Sequence, residues 1–196
     1  MKFQGIGQSS RQKSIARHYA GTLMNRVTWE LMMWRMHILK CVPGWTGCAV
    51  RNLLLPYRNG KRVHVWDQVH IEVPERLTLG DDVGINRYSM LHAGGGITIG
   101  DHVLIGPRVI IHSQNHRFDD PELPFDRQDY IRDPIVIGNN VWLGANVIVL
   151  PGVVIGDDVI VGAGSVVTTS IDSGSMVVGN PARIVRALPR IPRRHS

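Results

Sequence analysis

A six-residue aliphatic period runs through most of this chain. From Ile99 the register starts are Ile99, Ile105 and Ile111, then Ile137, Leu143, Val149, Ile155, Val161 and Val167. Gly follows the start at Gly100, Gly106, Gly138, Gly144, Gly156 and Gly162, and a small or β-branched residue sits four places on, from Val103 to Ser165. An earlier block keeps the period from Val73 through Leu79, Ile85 and Leu91, before two extra residues, Ile97 and Thr98, shift the frame. A period of six is neither that of a helix nor that of a simple strand. It suits a solenoid in which each hexapeptide is one short strand plus a turn. The aliphatic residue points inward and stacks on its counterpart one coil away, while Gly, Asn and Asp accept the left-handed angles of tight corners. A doubly wound sheet is disfavoured, because no helical pattern separates the strands.

The 196 residues suffice for one domain with a sizeable core. With 43% hydrophobic and 19% charged residues, disordered and collagen-like chains are excluded. Residues 134–156 lack any charge, a length that can span a bilayer. Asn139, Asn140, Asn146, Pro151 and the spaced glycines read instead as soluble structure. Residues 1–10 contain no apolar signal core, and Cys41 and Cys48 have no zinc spacing, so a cytoplasmic, reducing location is expected. Charge is unevenly spread. Residues 1–70 hold eleven Lys/Arg against two acids, residues 71–182 six against fourteen, and residues 183–196 five against none. An acidic body with basic ends argues against a nucleic-acid partner and fits a phosphorylated ligand or a membrane surface.

The repeat fails between Ile111 and Ile137, and residues 113–133 form a polar loop with six acids. Insertions in solenoids map to surface loops, often on the binding face. The loop would repel a polyphosphate, but Asp119 and Asp126 can offer carboxylates to neutral hydroxyls. His116 stands at the loop's start, where an imidazole can take a proton from a weakly acidic hydroxyl. From the residues alone a catalytic and an ordinary loop histidine remain equally open. His112 reads as a packing or orienting residue, and His92, one coil upstream of it, as a corner residue. Trp142 holds a position occupied elsewhere by Leu104, Ile110, Ile148 and Ile160, so it points outward from the coil and favours an interface or ligand face.

The run Ile137 to Val149, then Pro151-Gly152-Val153, Ile155-Gly156-Asp157, Gly162-Ala163-Gly164-Ser165 and Gly179-Asn180-Pro181-Ala182-Arg183, resembles the hexapeptide-repeat acyltransferases. The nearest subgroup looks like the galactoside/maltose, xenobiotic and polysaccharide-biosynthesis O-acetyltransferases. The resemblance covers roughly residues 73–188. It implies an all-β solenoid: a left-handed parallel β-helix with three hexapeptides per coil, assembled as a homotrimer. It implies acetyl-CoA as co-substrate, no metal, and His116 as general base. It places Trp142, Asn86 and Tyr88 at the acceptor, with Tyr88 falling where the family's asparagine aligns. Ala145, Ala163 and Thr168 match positions that hydrogen-bond the pantetheine arm, and the Ala145 amide is the candidate oxyanion donor. Arg183 and Arg186 match basic residues near the nucleotide phosphates.

The expected organisation is a helical, basic segment over residues 1–62, the β-helix over 63–188 with its loop at 113–133, and a basic tail over 189–196. Residues 14–40 read as helix, with Leu23, Val27, Leu31, Trp34 and Ile38 on one face and Trp29, Met32, Met33, Met36 and Leu39 on a second. Such a helix suits either burial in the protein or contact with the inner face of a membrane. Pro43-Gly44 ends it. The expected activity is O-acetyl transfer to a sugar or glycan hydroxyl in bacterial surface polysaccharide biosynthesis. The alternatives are a xenobiotic or serine O-acetyltransferase, a γ-carbonic-anhydrase-like hydratase using His92, His112 and His116 as zinc ligands, and a non-catalytic trimeric scaffold.

Overall fold

The computed structural model describes residues 27, 28 and 30–189. The chain divides into two compact units, residues 1–38 and 39–196. In the first, the helix expected over 14–40 is present at residues 27 and 28 and from residue 30 onward, and residues 14–26 lie outside the described residues. Val27, Leu31, Trp34 and Ile38 are exposed, whereas Met36 is buried. Among the described residues no helix is long and apolar enough to cross a membrane.

The second unit is a three-faced parallel solenoid of about six turns. The first face carries Arg58–Asn59, Leu77–Leu79, Ile97–Ile99, Ile135–Ile137 and Val154–Ile155. The second carries His64–Val65, Gly84–Ile85, Leu104–Ile105, Trp142–Leu143, Ile160–Val161 and Ser175–Val178, closed by the antiparallel strand Arg183–Ala187. The third carries His70–Glu72, Met90–His92, Ile110–His112, Ile148–Val149 and Val166–Val167. Strand pairing begins at Arg58, inside the segment read as N-terminal.

The aliphatic starts form the core. Ile85, Leu91, Ile105, Ile111, Leu143, Val149, Val161 and Val167 are all fully buried, each worth roughly 1.5–3 kcal/mol of burial. Val73 is the exception. It is half-buried with φ 55°, a corner residue, and Ile71 takes the core place beside Leu91. The early coils are 20 residues long, as in Ile85 to Ile105, and the later ones 18, as in Leu143 to Val161. The two extra residues therefore fall in the corners 73–76 and 93–96. Ile97 and Thr98 are ordinary strand residues, with Ile97 buried.

A second helix, Gly44–Leu54, was hidden in the sequence behind Pro43-Gly44. Its buried residues are Gly47, Cys48 and Arg51. Arg51 Nε donates to the Val65 carbonyl at 2.8 Å, and Nη1 to those of Leu39 and Val42 at 2.7 Å each. The buried guanidinium thus ties this helix and the residues before it to the first coil, and a buried polar group is tolerated because it is hydrogen-bonded.

The edge between the first and second faces repeats a ladder. Asp81 Oδ1 accepts from the Lys61 amide, Asp101 Oδ1 from Asp81, Asn139 Oδ1 from Asp101, Asp157 Oδ1 from Asn139, and Ser173 Oγ from Asp157, at 2.7–2.9 Å. Gly is required beside it. A Cβ on Gly80 would lie 2.3 Å from Asp101 Oδ1 and 2.7 Å from the Gly100 carbonyl carbon.

Candidate active site

The interruption grows from the edge between the third and first faces, the same edge that holds the two-residue insertions. After His112 the chain runs outward through Gln114–His116 and returns through Tyr130–Arg132, with His116 opposite Tyr130. Ser113 anchors the root. Its hydroxyl donates to the His92 carbonyl at 2.8 Å and accepts from the Gly95 amide at 2.9 Å, while its carbonyl accepts from Asp133. Gly95 leaves the space for this, since a Cβ there would lie 2.2 Å from the Ser113 oxygen.

His116 is exposed, and its ring lies 4.5 Å from that of Tyr130. The loop beyond is clasped by buried Gln128, whose Nε2 donates to the Asp120 and Leu123 carbonyls at 2.9 Å each. Arg117 holds Asp119 through two bonds, Nε to Oδ1 at 3.0 Å and Nη2 to Oδ2 at 2.7 Å. Those bonds pull the Asp119 carboxyl down to about 2. Asp119 is therefore one half of an ion pair. The pair borders an open cavity of about 520 Å³ lined also by Leu123, Arg127, Gln128 and Asp129.

Beneath the hairpin root, Glu72, His92 and His112 are register partners on successive strands of the third face. Glu72 Oε2 lies 2.8 Å from His92 Nε2 as a charge partner, and Oε1 accepts from His70 Nε2 at 3.0 Å. His92 Nδ1 accepts from the Gly94 amide at 3.3 Å, and the His92 and His112 rings stack at 4.6 Å. Burial pushes the His92 imidazole below its ordinary value, against the pull of Glu72. His112 Nδ1 bonds the Gln114 carbonyl. Both His92 nitrogens are thus engaged within the chain, which disfavours the hydratase reading. Among the described residues no group of three His, Cys, Asp or Glu is arranged to hold a metal.

The remaining predicted residues lie elsewhere. Asn86, Tyr88, Ala145 and Ala163 all sit on the edge between the second and third faces. Among the described residues the amides of Ala145 and Ala163 make no hydrogen bond. Gly106 and Gly144 pack directly against them, and a Cβ there would lie 2.8 and 2.6 Å from the two nitrogens. Trp142 is exposed on the second face, lining a cavity of about 320 Å³ with Leu104, Ile160 and Leu188. Arg183 and Arg186 are exposed on the closing strand of that face. Thr168 is exposed at the third-to-first edge, two coils above His112. One protomer therefore lines up Asn86, Tyr88, Ala145 and Ala163 along one edge, with the 105–109 turn between the first pair and Ala145, and holds His116 at a different edge. The roles of Ser113 and Gln128 escaped the sequence. The Gly94-Gly95-Gly96 run marks a close backbone approach without naming Ser113 as the partner, and no sequence feature marks Gln128.

The family described as bacterial transferase hexapeptide (six repeats) matches residues 134–169. The chain is 44% identical over 130 residues to the galactoside O-acetyltransferase of Escherichia coli, covering 63% of each. It is 36% identical over 127 residues to an Escherichia coli protein named as a colanic acid biosynthesis acetyltransferase, covering 65% of this chain and 67% of that one. It resembles the solved hexapeptide-repeat acetyltransferase VCA0836 of Vibrio cholerae at TM-score 0.70 and 31% identity, covering 82% of this chain and 93% of that one. In the complex of that protein with acetyl coenzyme A the figures are 0.71 and 29%, covering 96% and 94%. The chain spans between 43% and 67% of the lengths of the curated relatives it matches.

Proposed function

The chain belongs to the hexapeptide-repeat acetyltransferases, and from that premise we propose that it moves the acetyl group of acetyl-CoA to a hydroxyl of a sugar or glycan. One observation carries the assignment to this chain's own residues. The long interruption of the solenoid lifts an exposed histidine, His116, clear of the coils, and the next residue, Arg117, lines an open cavity of about 520 Å³ in the same loop.

A ring nitrogen of His116 accepts the acceptor's hydroxyl proton as the oxygen attacks the thioester carbonyl. The tetrahedral oxyanion is met by the uncovered amide of Ala145. Collapse breaks the carbon–sulfur bond, and the leaving thiolate takes the proton back from His116, giving an O-acetyl ester and free CoA. Ala163 and Thr168 line the pantetheine path, and Arg183 and Arg186 meet the nucleotide phosphates. Trp142, Asn86, Tyr88 and the Arg117–Asp119 pair contact the acceptor.

The separation of His116 from Ala145 and Trp142 on one protomer supports a homotrimer with composite sites between neighbours. The exposure of Leu104 and Trp142 supports the same assembly. A monomer by light scattering at low micromolar concentration contradicts it. Names among the relatives that refer to galactosides and colanic acid favour a glycan acceptor. The exposed row Val27, Leu31, Trp34 and Ile38 supports contact of that helix with the cytoplasmic face of a membrane, where a lipid-linked glycan would be presented.

The direct test is incubation with acetyl-CoA and a panel of glycans, nucleotide sugars and small alcohols, read by mass spectrometry. An acceptor gaining one acetyl group, with release of free thiol, is the expected result. A panel left unmodified while the protein fails to bind acetyl-CoA overturns the reading in favour of a scaffold.

A further inference from the structure

The Glu72–His92–His112 column takes no part in the chemistry above, yet its titratable residues are confined to the coils under the hairpin. In the next two coils the same register place holds Leu150 and Thr168, so the solenoid itself requires no imidazole there.

The hydrogen bonds fix the column's state. Glu72 accepts from His70 through Oε1 and sets Oε2 2.8 Å from His92 Nε2 as a charge partner. His92 therefore carries its proton on Nε2, and its Nδ1 lone pair receives the Gly94 amide. His112 lies on that fixed ring. Its Nδ1 faces a carbonyl, which can only accept, so Nδ1 bears the proton and donates to Gln114. Gln114 opens the strand that ends at His116, and residues two apart on a strand share a face. The approach is close. A Cβ on Gly94 would lie 2.1 Å from Gln114 Oε1 and 3.0 Å from His92 Cε1, so glycine there is what lets the strand root settle on the column.

We propose that His112 is a positioning residue for His116, donating Nδ1–H to the Gln114 carbonyl from a ring orientation set by Glu72 and His92 beneath it. The proposal rests on the reading of His116 as the general base. Its effect is on the angle at which the hairpin presents His116, and not on binding of the donor, whose proposed contacts other than Thr168 lie off this edge.

The test pairs two variants. His112→Leu copies the residue that the next coil already accommodates at this place, and His112→Asn keeps an N–H donor aimed at the same carbonyl. In His112→Leu, kcat falls about 10-fold or more, as expected when a catalytic group is tilted out of line, with the KM for acetyl-CoA unchanged within about two-fold. In His112→Asn most of kcat returns. Hydrogen exchange supplies a readout that needs no turnover: amides of 114–116 and 130–132 exchange faster in His112→Leu, recover in His112→Asn, and leave the solenoid strands unchanged. Wild-type kcat and wild-type hairpin exchange in His112→Leu overturn the proposal, as does failure of His112→Asn to recover either. If the wild-type protein transfers no acetyl group to any acceptor, the base reading has failed. Exchange alone then decides whether His112 holds the hairpin.

Discussion

At the edge between the first and second faces, the amides of Lys61, Asp81, Asp101, Asn139 and Asp157 each find a side-chain oxygen on the next coil. At the edge between the second and third faces, the amides of Ala145 and Ala163 occupy the same place in the turn and find none among the described residues. The backbone makes the same corner at both edges. His102, Asn140 and Asp158 at one, and Tyr88, Arg108 and Asn146 at the other, all have φ between 53° and 64°. The difference is in the side chains alone. One edge spends Asp, Asn and Ser on closing its own amides. The other has Arg87, Pro107, Ala145 and Ala163 at that place, and an unpaired amide there is stable only if water or a ligand meets it. The third edge differs again, because its corner is lengthened into the hairpin that carries His116.

The largest expected effect separates the hairpin from both regular edges. His116→Ala cuts turnover by about 10²-fold or more, with acetyl-CoA affinity and melting temperature near wild type. Unchanged turnover with a good acceptor removes His116 from the chemistry. Next comes the donor side. Arg183→Ala with Arg186→Ala raises the KM for acetyl-CoA about 10-fold at low salt, with the acceptor KM little changed. The effect shrinks with acetyl-pantetheine, which lacks the nucleotide, and as salt screens the exposed arginines. Equal discrimination against both donors shows that the arginines do not read phosphate.

The closed edge responds in stability and not in rate. Asp101→Ala leaves the Asp81 amide without its acceptor and costs about 1 kcal/mol in a denaturant titration, with turnover unaltered. Loss of turnover in that variant erases the distinction between a structural edge and a functional one. The smallest effect concerns the loop. The folded Asp119 carboxyl sits at about 2, below its ordinary 3.8, so the Arg117 pair favours the ordered loop above pH 3.8. That contribution is lost as pH falls through about 2. Carboxyl NMR should place the Asp119 midpoint near 2, and Arg117→Ala should return it toward the ordinary value. A midpoint unmoved by Arg117→Ala dissociates the pair.

Most of the coil was legible because one residue in six must be aliphatic to fill the interior, and nearly every such start is buried. Val73 misled because an apolar residue can occupy a corner when two residues are inserted there. The Gly44–Leu54 helix was missed because its buried positions are Gly47, Cys48 and Arg51, which carry no apolar stripe. His116 and the small residues at 145 and 163 were visible through their position in a known motif. Their separation onto two edges was not, since that depends on which of three faces each hexapeptide reaches. Nor was the clasp of Gln128 or the anchor of Ser113 visible, because both act through backbone groups brought near only by the folded loop.

The central claim is that His116 from one edge and the exposed groups of another work together only across neighbouring copies. Subunit complementation tests it most directly. His116→Ala and Trp142→Ala proteins, each expected to be nearly inactive, are unfolded together and refolded as a mixture. In a symmetric assembly, random mixing gives about a quarter of the sites an intact His116 and an intact Trp142 from different protomers. Recovery of about a quarter of wild-type turnover is the predicted result. A mixture no more active than the separate variants, while wild-type protein refolds to full activity by the same procedure, contradicts the account.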